Sequence, residues 1–95
     1  MQIVNGTVEE LIDPTGIIEG QRYEVLLTVK VDEEDELFNE EGTGLRMLYS
    51  VKDGQRKMLT YQFYELATGS PFDVEWDEEE QAAAEQYCTD LFPEL

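Results

Sequence analysis

An alternating stretch at residues 21–31 constrains the fold of this chain more than any other feature. Apolar side chains occupy every second position, with mostly polar ones between them; the apolar set is Tyr23, Val25, Leu27, Val29 and Val31. A period of two in β-branched and aromatic residues is typical of a strand with one buried face. The alternation ends at Asp32, where five consecutive acidic residues begin. The pattern therefore predicts a core strand followed by a highly charged segment.

A first strand is predicted at residues 2–12, paired with 21–31 as an antiparallel hairpin. The connection contains Asp13-Pro14-Thr15-Gly16, a typical turn sequence because proline presets φ and glycine accepts a positive φ. The Asn5-Gly6 pair is interpreted as a turn or bulge signal. Together these features predict the first half of an antiparallel sheet.

A second hairpin is predicted on either side of Asp53-Gly54, the strongest short-range hairpin signal in the chain. The preceding strand at 45–52 alternates, with Leu45, Met47, Tyr49 and Val51 on one face. The returning strand at 56–66 is predicted to place Leu59, Tyr61 and Phe63 on that face. The other face of the sheet then carries four less polar side chains, which hint at a partner surface: Leu26, Leu48, Met58 and Tyr64.

Residues 32–44 have no apolar period and are predicted to form a loop. We expect its two apolar residues, Leu37 and Phe38, to pack against the edge of the sheet. An EF-hand loop beginning at Asp32 is excluded, because its sixth position would be Leu37 instead of glycine and its twelfth Thr43 instead of glutamate.

A C-terminal helix is predicted from a capping box at its start, in which Asp77 precedes Glu80 by three residues. Ala84, Tyr87, Cys88 and Leu91 follow at helical spacing, and Pro93 is expected to end the helix. The prediction is a single acidic α+β domain over 1–95. It is a four-stranded antiparallel meander of hairpins with one C-terminal helix packed on one face.

Charge narrows the possible functions. The chain has 23 acidic and 6 basic residues, a formal net charge of −17, and no basic residue after Lys57. Direct binding to nucleic acid or to an anionic membrane is disfavoured, because both require basic patches. A basic or DNA-binding protein is the favoured partner, and the sequence leaves the oligomeric state open.

The residue inventory also excludes most enzyme chemistry. The chain has no histidine, so Ser-His-Asp and Cys-His mechanisms and most zinc sites are excluded. The single cysteine, Cys88, is predicted to be a small packed thiol and fits a reducing cytoplasm. No phosphate-binding loop, cofactor site, metal site or catalytic residue is predicted. We therefore expect a cytoplasmic, non-enzymatic protein.

The candidate partner-binding residues are the acids of the 32–36 block and of the helix start: Asp32, Glu33, Glu34, Asp35, Glu36, Asp77, Glu78, Glu79 and Glu80. The favoured function is a protein-interaction or regulatory domain using this acidic surface or the less polar sheet face. The alternative is a DNA mimic that inhibits a nucleic-acid-binding protein, as in phage counter-defence. A third interpretation is an acid/base enzyme with paired carboxylates.

Three segments also carry a resemblance to a known family. They are Asp13-Pro14-x-Gly16-Ile17, Gly20-x-Arg22-Tyr23-Glu24, and the Val31–Leu37 segment with its five acids. This pattern resembles a family of small acidic proteins of unknown function from spore-forming Gram-positive bacteria. The resemblance covers most of the chain. It implies a cytosolic bacterial protein and assigns no functional residue.

Overall fold

A computed structural model describes residues 1–12, 15 and 21–91. Its elements are β1 (Gln2–Leu11), β2 (Gln21–Lys30), β3 (Thr43–Lys52), β4 (Gln55–Glu65) and α1 (Glu78–Leu91). The strands form one antiparallel sheet in the order β1-β2-β3-β4. The predicted α+β meander with a C-terminal helix is therefore confirmed. The predicted turn at 13–16, apart from Thr15, and the helix stop at Pro93 lie outside the described residues.

The core lies between the two central strands and α1. On β2 the alternating residues Val25, Leu27 and Val29 are buried, as predicted. On β3 the buried set is Leu45, Met47, Tyr49 and Val51, which also matches the prediction. In the pairing register Val25 lies opposite Met47 and Leu27 opposite Leu45, so the two apolar rows interlock on one side. Full burial of such side chains contributes about 1.5–3 kcal/mol each. We call this side of the sheet the helix face and the other side the open face.

A bulge in β4 corrects one prediction. The pairing passes from Leu48–Thr60 to Tyr49–Met58, which leaves Leu59 as an extra residue without a partner. Because one extra residue reverses the alternation on its N-terminal side, Met58 packs against the core and Leu59 is 41% exposed. The prediction was the reverse, with Leu59 facing the core and Met58 on the other face of the sheet. Tyr61 and Phe63 lie on the helix face as predicted.

Two local signals in the strands have the predicted outcome. A bulge occurs between Ile3 and Asn5, next to the Asn5-Gly6 pair, and leaves Val4 as the extra residue. Between β3 and β4, Asp53 and Gly54 have φ values of 54° and 76°. Positive φ at both central residues is what a tight two-residue hairpin turn requires.

Helix α1 begins with the predicted capping box. The Glu80 N–H donates to the Asp77 carboxylate at 2.8 Å, and the Asp77 N–H donates to the Glu80 carboxylate at 3.0 Å. The predicted apolar stripe packs on the sheet: Ala84 and Cys88 are buried, and Tyr87 and Leu91 contact the core. No helix among the described residues is long and apolar enough to span a membrane.

Gly6 is the point of closest approach between α1 and β1. A Cβ atom at this position would lie 2.4 Å from Leu27 Cδ2, 3.0 Å from Tyr87 Cε1 and 3.1 Å from Leu91 Cδ1. A Cβ at these distances would require the neighbouring side chains to move. The absence of a side chain at Gly6 therefore allows α1 to pack closely on the edge strand.

The connection from β4 to α1 runs back beside β4 before the helix begins. The Phe72 N–H donates to the Phe63 carbonyl at 2.9 Å, and Phe72, Val74 and Trp76 pack against the core. Trp76 stacks on Tyr61 with a centroid distance of 3.8 Å and an interplanar angle of 7°. The backbone N–H of Trp76 also donates to the Tyr61 hydroxyl at 3.2 Å. This connection therefore fixes where the acidic helix start lies.

Candidate functional site

The acidic loop between β2 and β3 is held by one buried side chain. Leu37 is 1% exposed, and its carbonyl accepts a hydrogen bond of 2.5 Å from the buried Thr43 hydroxyl. The Asp35 carboxylate accepts the Leu37 N–H at 2.9 Å, and the Asp35 N–H donates to the Asp32 carbonyl at the same distance. The prediction for Leu37 is confirmed. Phe38 is 37% exposed and lines a cavity beside the end of β2, so it lies at the sheet but is less buried than Leu37.

This loop meets the start of α1. Asp35, Asp77, Glu79 and Glu80 line one cleft of about 340 Å³, together with Met1 and Ala83. The structure therefore brings together two acidic blocks that lie more than forty residues apart in the chain. The other candidate acids lie outside this lining as exposed side chains, namely Asp32, Glu33, Glu34, Glu36 and Glu78.

The carboxylates of the cleft carry uncompensated charge. Within the described ranges, none of Asp35, Glu79 or Glu80 forms an ion pair with a basic side chain. Glu79 and Asp35 are exposed, so water solvates them. These acids do not form a cluster that could hold a metal ion, as judged over the described part of the chain. The arrangement suits attraction of a cationic group at the protein surface.

Basic side chains collect on the open face of the sheet, which the sequence interpretation missed. Strand pairing places five of the six basic residues there, namely Arg22, Lys30, Arg46, Lys52 and Lys57. The signal was present for Arg22, Lys30, Arg46 and Lys52, because each lies next to a residue predicted to face the core and alternation directs it outward. Lys57 lies on this face only because of the bulge at Leu59.

The open face also has an ordered centre. The Arg46 Nε donates to the Glu24 carboxylate at 2.7 Å. Tyr64 lies over Gly44, where a Cβ atom would be only 2.3 Å from the Tyr64 Cζ. Burial and the nearby Glu24 carboxylate raise the pKa of the Tyr64 hydroxyl, and the nearby Arg46 partly offsets this rise. Tyr64 therefore stays neutral near pH 7.

The sixth basic residue supports the helix instead. Arg56 donates to the Thr89 hydroxyl at 2.9 Å and lies 5.6 Å above the Tyr49 ring. It supplies a cation near the C-terminal turn of α1, which has no basic residue of its own. Below it, Cys88 is fully buried beside Tyr49, and burial raises the pKa of the thiol. Cys88 is thus the packed thiol that the sequence predicts.

Comparison with known proteins adds the family. One family model matches the chain over residues 1–95, and its description is a family of unknown function, DUF6509. Neither the curated proteins nor the solved structures give a match. The expected resemblance to an uncharacterised family is confirmed at this level. The chain therefore belongs to the DUF6509 family.

Proposed function

We propose that this chain is a non-enzymatic, cytoplasmic interaction domain that binds a basic protein partner through its acidic side. We define the acidic side as the 32–36 block together with Asp77, Glu78, Glu79 and Glu80. The observation that carries the proposal is the cleft in which Asp35 meets the carboxylates of the helix start.

Preorganisation supports this proposal. The loop is anchored by the buried Leu37, and the helix start is fixed by the reciprocal bonds between Asp77 and Glu80. A partner would therefore meet carboxylates whose backbone is already ordered, which lowers the entropy cost of binding. The surrounding charge of −17 would also accelerate the approach of a cationic partner.

A non-enzymatic role is supported by the exposure of the same carboxylates. A general acid for glycoside hydrolysis needs a raised pKa, which usually comes from desolvation in a pocket. Asp35, Asp77 and Glu79 are instead exposed to solvent. The chain also has no histidine, the side chain most often used for proton transfer near neutral pH.

A DNA mimic is the second candidate, and it is favoured by an acidic helix that contains no basic residue of its own. From Met58 onward the chain has no lysine or arginine, and α1 presents the exposed acids Glu78, Glu79, Glu85 and Asp90. Such a surface could occupy a cleft built for phosphates. In this proposal the partner is a DNA-binding protein of a phage or its host. The host is a spore-forming Gram-positive bacterium, the source that the sequence resemblance implies.

Affinity capture with charge-reversal variants tests the acidic side. The immobilised chain is exposed to a lysate of such a bacterium at about 0.1 M and about 1 M salt, where screening lengths are about 10 Å and 3 Å. The test variant is Glu78→Lys/Glu79→Lys. The matched control is Glu9→Lys/Glu10→Lys on β1, which changes the net charge by the same amount.

We expect a basic protein that is captured at the lower salt and lost at the higher salt. Capture should also be lost with the helix variant and kept with the control. If duplex DNA competes for the captured protein, the DNA-mimic candidate is favoured over a general interaction domain. Equal capture by the helix variant and the wild type would refute binding through the acidic side.

A further inference from the structure

We propose that the open face of the sheet is a second docking surface, and that it takes an acidic segment of a protein partner. This proposal does not depend on the acidic side, because it concerns the opposite charge on another part of the domain. It follows from the distribution of the basic residues, from the ordered centre of the face and from its poor fit to other occupants.

The open face is locally cationic in a strongly acidic chain. It carries five basic residues. Among the described strands, only two acidic residues lie on the same face, Glu9 and Glu24. Glu24 is already paired with Arg46. Lys30 and Lys57 are exposed and form no ion pair with any described residue. An anionic group would satisfy donors that the fold leaves available.

The centre of the face combines the ion pair described above with two leucines, and it is already ordered. Leu26 and Leu48 lie on the two central strands and are half-buried. Tyr64 is held against the backbone of β3 at Gly44. Protein interfaces combine such apolar side chains with charged groups, and tyrosine and arginine are enriched at the positions that contribute most of the binding energy.

Charge decides between the possible occupants. A two-fold pairing of open faces would bring the basic residues of both copies together and is therefore disfavoured. Nucleic acid is disfavoured because the net charge of −17 repels a polyanion over its whole length. A short acidic peptide with apolar side chains carries far less charge than a polyanion, so it meets less of this repulsion. Its carboxylates would reach the rim while its apolar groups cover Leu26 and Leu48.

The proposal has a characteristic salt dependence. At about 0.01 M salt the screening length is about 30 Å, so an acidic peptide meets the repulsion of the whole chain. At about 0.1 M it is about 10 Å, and the local cations of the open face dominate. Affinity should therefore rise between these two conditions. Binding of a basic ligand to the acidic side should only weaken over the same range.

Selection from a random peptide library displayed on phage tests this surface without a known partner. Selected peptides are synthesised with a fluorophore, and their affinities are measured by fluorescence anisotropy. The test variant is Lys30→Gln/Lys57→Gln. The control is Ala82→Glu/Gln86→Glu on the exposed side of α1, which makes the same change in net charge. Circular dichroism checks that both variants keep the fold.

We expect peptides rich in aspartate and glutamate with interspersed apolar residues. Loss of the two lysines should weaken their binding by about tenfold, which corresponds to about 1.4 kcal/mol, and the control should change it by less than about twofold. Selection of basic peptides only, no enrichment, or equal weakening in both variants would overturn the proposal. So would tighter binding of a single-stranded oligonucleotide at the open face, or peptide affinity that falls steadily from low salt.

Discussion

Replacing Gly6 by alanine tests how closely β1 packs against Leu27 of β2 and against α1. Gly6 does not have a positive φ, so its backbone accepts alanine without strain. In an open position this substitution would stabilise the protein by about 0.4–1 kcal/mol, because it restricts the unfolded chain. Here the new Cβ would lie 2.4 Å from the Cδ2 of the buried Leu27, whereas an ordinary carbon contact is about 3.5–4.0 Å.

The expected sign of the stability change is therefore reversed. Relieving an overlap of about 1 Å in a packed site costs about 1–3 kcal/mol, so Gly6→Ala should lower the free energy of unfolding by about 1–2 kcal/mol. Urea unfolding followed by far-UV circular dichroism and by the fluorescence of Trp76 measures this change. We expect the midpoint to fall by about 1 M. Any stabilisation by Gly6→Ala would refute the close approach described above.

A double-mutant cycle locates the overlap. Leu27→Val removes the atom nearest to the new Cβ and on its own should cost about 1 kcal/mol or more. If the overlap lies at Leu27, the double variant should be more stable than the sum of the single effects by at least about 0.5 kcal/mol. Strict additivity would place the cost elsewhere, at Tyr87 or Leu91.

Two further predictions concern the helix cap and the buried hydroxyl beside Cys88. Asp77→Ala removes the acceptor of the Glu80 N–H and should cost about 1 kcal/mol in urea unfolding, whereas Glu79→Ala, which has no part in the cap, should change stability by less than half as much. Burial raises the pKa of Tyr49 and Cys88 above their ordinary values of 10.0 and 9.0, so their contribution to stability is complete below pH 9. As the pH rises above these values the unfolded chain ionises first, and stability should fall by up to about 1.4 kcal/mol per pH unit for each group. Tyr49→Phe should show a shallower fall between pH 9 and 11 than the wild type, and parallel curves would contradict the assignment.

Local signals in the sequence predict most of this fold. The alternation of β2, the Asp53-Gly54 turn and the Asp77–Glu80 capping box each involve residues within a few positions of one another. Their outcome depends on backbone geometry that a short stretch largely determines. These features were sufficient to place four strands and one helix in the correct order.

The bulge at Leu59 could not be predicted in this way. Nothing in the alternation of 56–66 distinguishes the extra residue, because Leu59 and Met58 are both apolar. The choice between them is made by the partner strand, where Tyr49 faces the helix and takes Met58 as its neighbour.

The candidate sites depend on contacts between distant segments. The sequence identifies both acidic blocks but not the cleft that joins Asp35 to Glu79, because that depends on how the connection after β4 returns along the sheet. Alternation alone directs Arg22, Lys30, Arg46 and Lys52 to the open face. Lys57 joins them through the bulge at Leu59, which the sequence does not reveal.

The bulge at Val4 and the acidic residues of β1 oppose edge-to-edge association between copies of this protein. β1 is an edge strand, and edge strands can recruit further strands into aggregates. The bulge interrupts the regular ladder near one end of β1, and Glu9 and Glu10 occupy the other without a lysine or arginine in the strand. A second β1 approaching this edge would meet an irregular backbone and like charge. The acidic surplus thereby protects the sheet from self-association, whether or not a partner is bound.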